Sequence, residues 1–355
     1  MSTPVLVVGG AGYIGAHACK ALARAGFQPV VYDDLSTGHA DFVKWGPLVT
    51  GDVRDREGVE KALRQWRPAA VMHFAALALV GESMRDPGRY YDVNVVGTLR
   101  LLQAMVACGV RDLVFSSSCA VYGDPGVDRI SENLAERPVN PYGATKLACE
   151  RMMGDFETAQ RVRSVRLRYF NAAGADPGGD IGERHDPETH LVPIVIAAAL
   201  DRSAVPVEIF GSDYPTPDGT AIRDYVHVCD LADAHVAAVR YLQEGGASRT
   251  VNLGTGAGAS VSEVIAAVES VTGVDVPTRR SHRRAGDPPR LVADPTRAET
   301  LLGWRARSTQ LRTMVEDACR WHRRAGPAMA VTGPGPRSAA DADGQGAGRS
   351  AVVRG

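Results

Sequence analysis

Four apolar residues, Val5-Leu6-Val7-Val8, run directly into Gly9-Gly10-Ala11-Gly12-Tyr13-Ile14-Gly15 and then into an alanine-rich stretch with helical character to about Ala25. Strand, glycine turn and helix in that order is the context a dinucleotide-binding loop requires. Glycines let the backbone approach a pyrophosphate, and the helix start offers free N–H groups and a positive dipole end. Glycine also serves ordinary tight turns, so the loop alone leaves both readings open. Val30-Val31-Tyr32 then forms a second strand ending in Asp33, about 20 residues beyond the loop. A carboxylate there can take both ribose hydroxyls of NAD and repel the phosphate of NADP, although Asp33 and Asp34 also suit a turn after a strand.

Gly51-Asp52-Val53-Arg54 follows another short strand, Ala69 to Phe74 reads as a fully buried one, Leu113-Val114-Phe115 as the next, and Val165 to Tyr169 as the sixth. Pro87 to Ala107 has helical periodicity, with Asn94 in its middle. Strands alternating with helices over residues 4–170 predict an α/β fold built on a doubly wound parallel Rossmann sheet. Such sheets bind ligands at the carboxyl ends of their strands, where the fifth strand runs out into Ser116-Ser117-Ser118. The triple serine also fits a plain polar strand end.

Asn140-Pro141-Tyr142-Gly143-Ala144-Thr145-Lys146 places a phenol and an ammonium four residues apart just inside a helix start. Asn140 can cap, Pro141 suits the first helical position, and Ala148, Met152 and Phe156 make an apolar stripe. Tyr142 and Lys146 share one face. A tyrosine with a pKa of about 10 is a poor base at neutral pH, so a nearby cation favouring phenolate meets a chemical need. The same spacing occurs in ordinary helices.

Beyond Asn171 the pattern loosens into Gly-, Pro- and Asp-rich loops with helices at Asp230 to Leu242 and Ser260 to Thr272. We therefore expect a cofactor domain over residues 1–175, a smaller lobe over 176–325 that partly returns to the first, and a disordered tail over 326–355, which has almost no large apolar residue. The net charge of −1 with interspersed signs argues against a nucleic-acid or membrane surface. Without a leader pattern or a membrane-length apolar run, a soluble cytoplasmic protein is expected. The six cysteines are scattered with no Cys-x-x-Cys pair, so neither a zinc site nor a disulfide scaffold is expected.

Taken together, the chain from Val5 to about Trp321 resembles the extended short-chain dehydrogenase/reductases, and within them the UDP-galactose 4-epimerases. The motifs are Gly-Gly-Ala-Gly-Tyr-Ile-Gly at 9–15, His-Phe-Ala-Ala at 73–76, Val-Gly-Glu-Ser at 80–83, Ser-Ser-Ser at 116–118, Pro-Tyr-Gly-x-x-Lys at 141–146 and Arg-Tyr-Phe-Asn at 168–171. Ile-Phe-Gly-x-Asp-Tyr-Pro-Thr from Ile209, Arg-Asp-Tyr-Val-His-Val from Arg223 and Arg-Ala-Gly-Asp at 284–287 follow. The resemblance implies a retained NAD, with Gly9, Gly12, Tyr13, Ile14 and Gly15 at its pyrophosphate and Asp33 at the adenosine ribose. It puts Asp52 and Val53 at the adenine, and Phe74, Ala75, Asn94, Ser116 and Tyr169 along the same cleft. Lys146 would hold the nicotinamide ribose and lower the pKa of Tyr142, the base, with Ser118 on the same substrate oxygen.

For the UDP-sugar it points to Asn171, His190, Leu191, Phe210, Arg223, Arg284 and Asp287, the arginines suiting a pyrophosphate anion. It also implies a homodimer through the helices at 87–107 and 142–159. The implied reaction removes the hydrogen from the sugar's C4 and returns it to the opposite face. Three positions depart from parts of the family: Ala78 where some members have Lys, His190 where many have Asn, and Leu291 where either a tyrosine or a small residue sets the sugar pocket. N-acetylhexosamine or pentose epimerisation and decarboxylation thus stay open. A dehydratase is disfavoured because no carboxylate replaces the serine cluster, and a silent NAD-sensing protein because Tyr142 and Lys146 are both kept.

Overall fold

Seven strands lie side by side in one parallel sheet: β1 (Thr3–Val8), β2 (Phe27–Asp33), β3 (Leu48–Thr50), β4 (Ala70–His73), β5 (Asp112–Ser118), β6 (Arg163–Tyr169) and β7 (Arg249–Leu253). Their order is β7-β6-β5-β4-β1-β2-β3. The structure is a computed structural model and describes residues 2–200, 205–284 and 286–325. The tail expected from Gly326 onward lies outside the described residues, as does Ala285.

The longer helices are α1 (Tyr13–Arg24), α2 (Arg56–Trp66), α3 (Gly97–Cys108), α4 (Pro141–Gln160), α5 (Leu191–Leu200), α6 (Val228–Gln243), α7 (Val261–Thr272) and α8 (Leu311–Ala325). Successive side chains of a strand point to opposite faces, so each inner strand must be apolar on both. In β1, Val5 and Val7 pack in the core of α1 and α6, with Ala18, Leu22, Leu231 and Val239. Leu6 and Val8 pack in the core of α2 and α3, with Val59, Leu63, Leu101 and Met105. At about 1.5–3 kcal/mol for each buried Val or Leu, these two layers fix the fold and leave the strand ends free for chemistry. The strand order reverses between β1 and β4, which opens a crevice at their carboxyl ends.

Six of these strands are those the sequence predicts. The seventh, β7, comes from the second half of the chain and, with α6, completes the first layer. Residues 228–253 thus supply α6 and β7 to the layer and sheet built by the first half of the chain. The helix expected over 87–107 is a short helix at Pro87–Tyr90, a π-helical turn at Tyr91–Val96 and then α3. The π turn holds Asn94 in the interior, 2% exposed. In α4 the deepest apolar residues are Cys149 and Met153, with Met152 and Phe156 at the margin of the same core and Ala148 only partly buried. The predicted stripe is therefore offset by one residue.

The remaining helices, α5, α7 and α8, share a separate core that includes Val195, Ile196, Val264, Val268 and Val315. Ser260 and Glu263 form a capping box at the start of α7. Among the described residues no helix is long and apolar enough to cross a membrane.

Candidate active site

The glycines of the first loop divide by what a side chain would meet. Gly9 has φ +81°, and a Cβ there would lie 2.4 Å from the Ala75 nitrogen; a Cβ at Gly15 would lie 2.2 Å from the Gly9 carbonyl oxygen. Both are required by the chain itself. At Gly12 the nearest atom is the Gly9 oxygen at 3.5 Å, so its bareness leaves room for a group from outside the chain. No side chain caps α1, and its first N–H groups, from Tyr13, Ile14 and Gly15, form an anion seat. The Tyr13 phenol points away and donates to the Gly174 carbonyl at 2.6 Å.

At the end of β2 the Asp33 carboxylate, 8% exposed, accepts from the Ala11 and Leu35 backbone N–H groups, each at 2.9 Å. Burial raises its pKa and those two hydrogen bonds oppose the rise. So oriented, it can accept from ribose hydroxyls. The Asp52 carboxylate accepts from the Arg54 side chain and backbone, which holds its pKa low, while Val53 turns into the core. Phe74 and Ala75 follow β4, and the Phe74 ring stacks on His235 at 4.6 Å. Asn94 lies beneath this loop: its carboxamide binds the Leu77 backbone at 2.8 and 3.0 Å and the Thr145 hydroxyl at 3.1 Å, so it positions the loop. Open glycine, bare helix start and buried carboxylate together fit a dinucleotide.

Asn140 caps α4 by accepting from the Gly143 N–H at 2.8 Å, with Pro141 in the first position, and this places Tyr142 and Lys146 beside the end of β5. Of the three serines there, Ser116 pairs its hydroxyl with Tyr169 and Ser117 donates to Glu150. Only the Ser118 hydroxyl is left to face the Tyr142 phenol, while accepting from the Ala120 N–H at 3.2 Å. Burial pushes Tyr142 up to about 12 against the opposing Ser118 bond. Burial lowers Lys146 to about 8, partly offset by Cys149 and Glu150. Burial, rather than Lys146, sets the direction of the phenol's shift here. The ammonium donates to the Ser116 carbonyl at 2.8 Å and sits 5.9 Å from the Tyr142 ring centre.

Of the residues expected at the substrate, Phe210, Arg223, Arg284 and Asp287 come together. Arg223 pairs with the Asp287 carboxylate, Arg284 stacks on Phe210 at 3.8 Å, and the Asp287 N–H donates to the Arg284 carbonyl at 3.2 Å. The Asn171 N–H donates to the Asp224 carbonyl at 2.9 Å, and Leu191 opens α5. Leu291 is partly buried against the cluster that includes Cys119, Leu147 and Phe170. His190 is drawn elsewhere, its Nδ1 2.8 Å from Glu183 and 3.1 Å from Glu188. Burial lowers the pKa of His190, but those carboxylates bring it to about 10; the same balance brings His185 to about 9.

Three features escaped the sequence reading. Asp224, fully buried, accepts from the Thr255 and Gly256 N–H groups at 2.9 Å, the Thr255 hydroxyl at 2.6 Å and the Ala293 N–H at 3.1 Å, and so fixes the strand that carries Arg223. Arg168 and Glu150 form a buried ion pair behind Ser117; a charge in an otherwise apolar strand is the available signal. The cluster Glu183, His185, Glu188 and His190 has a spacing, Glu-x-His-x-x-Glu-x-His, that is legible in the sequence.

Residues 5–254 match the family model described as "NAD dependent epimerase/dehydratase family". The chain is similar to UDP-glucose 4-epimerase of Rhizobium meliloti (strain 1021), 52% identical over 320 residues that span 90% of this chain and 97% of the relative. Among solved structures it is similar to UDP-glucose 4-epimerase from Brucella ovis in complex with NAD, at TM-score 0.88 and 50% identity, covering 90% of this chain and 98% of that one. It is also similar to the Bifidobacterium longum UDP-glucose 4-epimerase in complex with NAD+ and UDP, at TM-score 0.85 and 37% identity, covering 91% and 98%.

Proposed function

The chain belongs to the NAD dependent epimerase/dehydratase family, and from that premise we infer that it is an NAD-dependent isomerase that inverts C4 of a UDP-hexose, interconverting UDP-glucose and UDP-galactose. The observation that carries this reading is the meeting of Ser118, Tyr142 and Lys146 at the carboxyl end of β5, across the crevice from the loop with the open Gly12.

Gly12, the bare start of α1 and Asp33 would hold NAD, which when bound supplies a reversible acceptor for the hydrogen on the sugar's C4. Acting as the phenolate, the form a neighbouring cation such as Lys146 favours, Tyr142 takes the proton of the 4-hydroxyl, and Ser118 hydrogen-bonds the same oxygen as it becomes the carbonyl of a 4-keto sugar. Lys146, anchored on the Ser116 carbonyl, keeps a positive charge beside the phenol. Arg223 and Arg284 grip the pyrophosphate in a segment, 176–325, that we take as the substrate lobe. With the nucleotide held there, the sugar can turn about its phosphate link, and Tyr142 returns the proton after the opposite face has been presented.

Pairing of two copies is supported by exposed apolar residues around the start of the helical stretch 80–108, Met84 at 62% and Tyr91 at 45%, with Val139 at 52% just before α4. Six free thiols suit the reducing cytoplasm. Leu291, partly buried against the cluster that holds Cys119, suits a sugar pocket of intermediate width. The test is to purify the protein, look for tightly held NAD, and follow UDP-galactose and UDP-N-acetylgalactosamine side by side by NMR. Conversion of UDP-galactose with retained NAD is expected; a NAD-bound protein that converts neither sugar overturns the reading.

A further inference from the structure

The segment that joins the strand Asn171–Ala173 to α5 carries Glu183-x-His185-x-x-Glu188-x-His190, and one ligand atom from each of the four lies within 4.8 Å of every other. We propose that these four residues form a binding site for one divalent transition-metal ion of the zinc class, a cross-link at the seam between the nucleotide domain and α5.

The geometry is close to what such an ion requires. Zinc held by nitrogen and oxygen at about 2.0–2.1 Å in a tetrahedron separates neighbouring ligand atoms by about 3.3 Å. Here His190 Nδ1 lies 2.8 Å from Glu183 Oε1 and 3.1 Å from Glu188 Oε1. His185 Nδ1 lies 3.2 Å from Glu183 Oε1 and 3.7 Å from Glu188 Oε2. The four distances straddle that edge length. Both rings turn the same nitrogen inward, and two imidazoles with two carboxylates are a donor set of intermediate softness that suits zinc.

Two further observations point to a ligand. The Glu188 side chain is 6% exposed, yet its Oε2 atom has no hydrogen-bond partner, and His185 Nδ1 is likewise unpartnered despite its short distances. The two atoms lie 3.7 Å apart within the cluster. Secondly, among the described residues no lysine or arginine pairs with Glu183 or Glu188; the Arg184 guanidinium lies over the Phe42 ring and bonds Asp41. Two nearly buried carboxylates need two positive charges, which without an ion the protonated rings of His185 and His190 supply. One dication supplies both and leaves the imidazoles neutral.

The surroundings suit a structural ion. The Glu183 carbonyl accepts from Trp321 Nε1 at 2.9 Å, and the His185 ring meets the Tyr13 ring edge-on at 6.3 Å. Glu183 thereby ties α8, and His185 ties α1, to the residues just before Leu191. His190, 43% exposed at its side chain, leaves an entry path. The ion takes no part in the hydrogen transfer.

The test uses the full chain after dialysis against a chelator, titrated with Zn(II) alone by calorimetry in buffers of differing ionisation enthalpy. One ion per chain, proton release on binding and a raised melting temperature are expected. Glu188→Gln, which keeps shape, and His185→Ala should each weaken binding by about 100-fold or more, with circular dichroism confirming the fold. Three results overturn the proposal: no saturable binding, binding unaffected by both substitutions, or imidazole NMR signals that stay protonated with Zn(II) in excess.

Discussion

The Lys146 ammonium lies 2.8 Å from the carbonyl oxygen of Ser116, on the same strand whose last hydroxyl, Ser118, faces Tyr142. The buried cation thus fixes β5 to α4 while standing beside Tyr142, whose phenol is raised by burial. Removing the phenol oxygen should leave the fold and the NAD site untouched. Tyr142→Phe is expected to lower kcat by about 10²–10⁴-fold, with cofactor content after heat denaturation equal to that of the unmutated protein. Near-normal turnover would remove Tyr142 from the role of base.

Lys146 supplies a pH limit with a definite sign. Burial brings its pKa down to about 8, so the charge is complete below that pH and is lost as pH rises through it. The rate, which needs that charge beside the phenol, should fall on the alkaline side of about pH 8. Arginine stays charged throughout this range. Lys146→Arg is therefore expected to be slower overall but to lack the alkaline fall, which pH profiles of kcat on the two proteins compare directly. An identical alkaline limb in both would assign the fall to another group.

Two glycines in one loop should respond in opposite ways. At Gly15 an added methyl group meets the Gly9 carbonyl at 2.2 Å, so Gly15→Ala should destabilise the fold by about 1–3 kcal/mol or more, seen as a lowered melting temperature of the NAD-free protein. At Gly12 the methyl group has room within the chain and intrudes only on a bound phosphate. Gly12→Ala should melt normally and be purified without NAD. If it keeps its NAD, the vacant side of Gly12 does not face the cofactor.

These glycines also mark what a sequence discloses. The order of strand, loop and helix and the cap at Asn140 are local, because each depends on residues a few positions apart, and each stands where the sequence predicts it; Asp33 stands at its predicted strand end too, held there by the more distant Ala11 N–H. Distant partnerships are not local. β7 joins the sheet only because Val251 and Leu253 find α6, and Asn94 turns inward through a π turn that its helical periodicity does not announce. His190, which a resemblance to relatives puts beside the nucleotide, is instead held by Glu183 and Glu188. The resemblance singles out Ser118 among the three serines, but the reason that its hydroxyl is the one left beside Tyr142 is not local. It depends on Tyr169 and Glu150, 53 and 33 residues away, occupying the other two.

Glu150 leads to the last expectation, on stability. Its carboxylate accepts from Arg168 Nε at 2.9 Å and from the Ser117 hydroxyl, and Arg168 is only 1% exposed. Burial alone would lower the Arg168 pKa, but Glu150, and after it Tyr122 and Glu136, hold it above the usual guanidinium range. A buried pair of this kind contributes little net stability against an apolar pair of the same shape, whereas losing one partner strands the other charge at a cost of about 3–5 kcal/mol. Arg168→Met should therefore lower the urea midpoint strongly, and Arg168→Met with Glu150→Gln should recover much of the loss, because the double variant buries no unpaired charge there. Since Glu150 also holds Ser117, the double variant should still shift β5 slightly and lower kcat while remaining folded. Equal urea midpoints for the single and double variants would show that the pair is not coupled in this way.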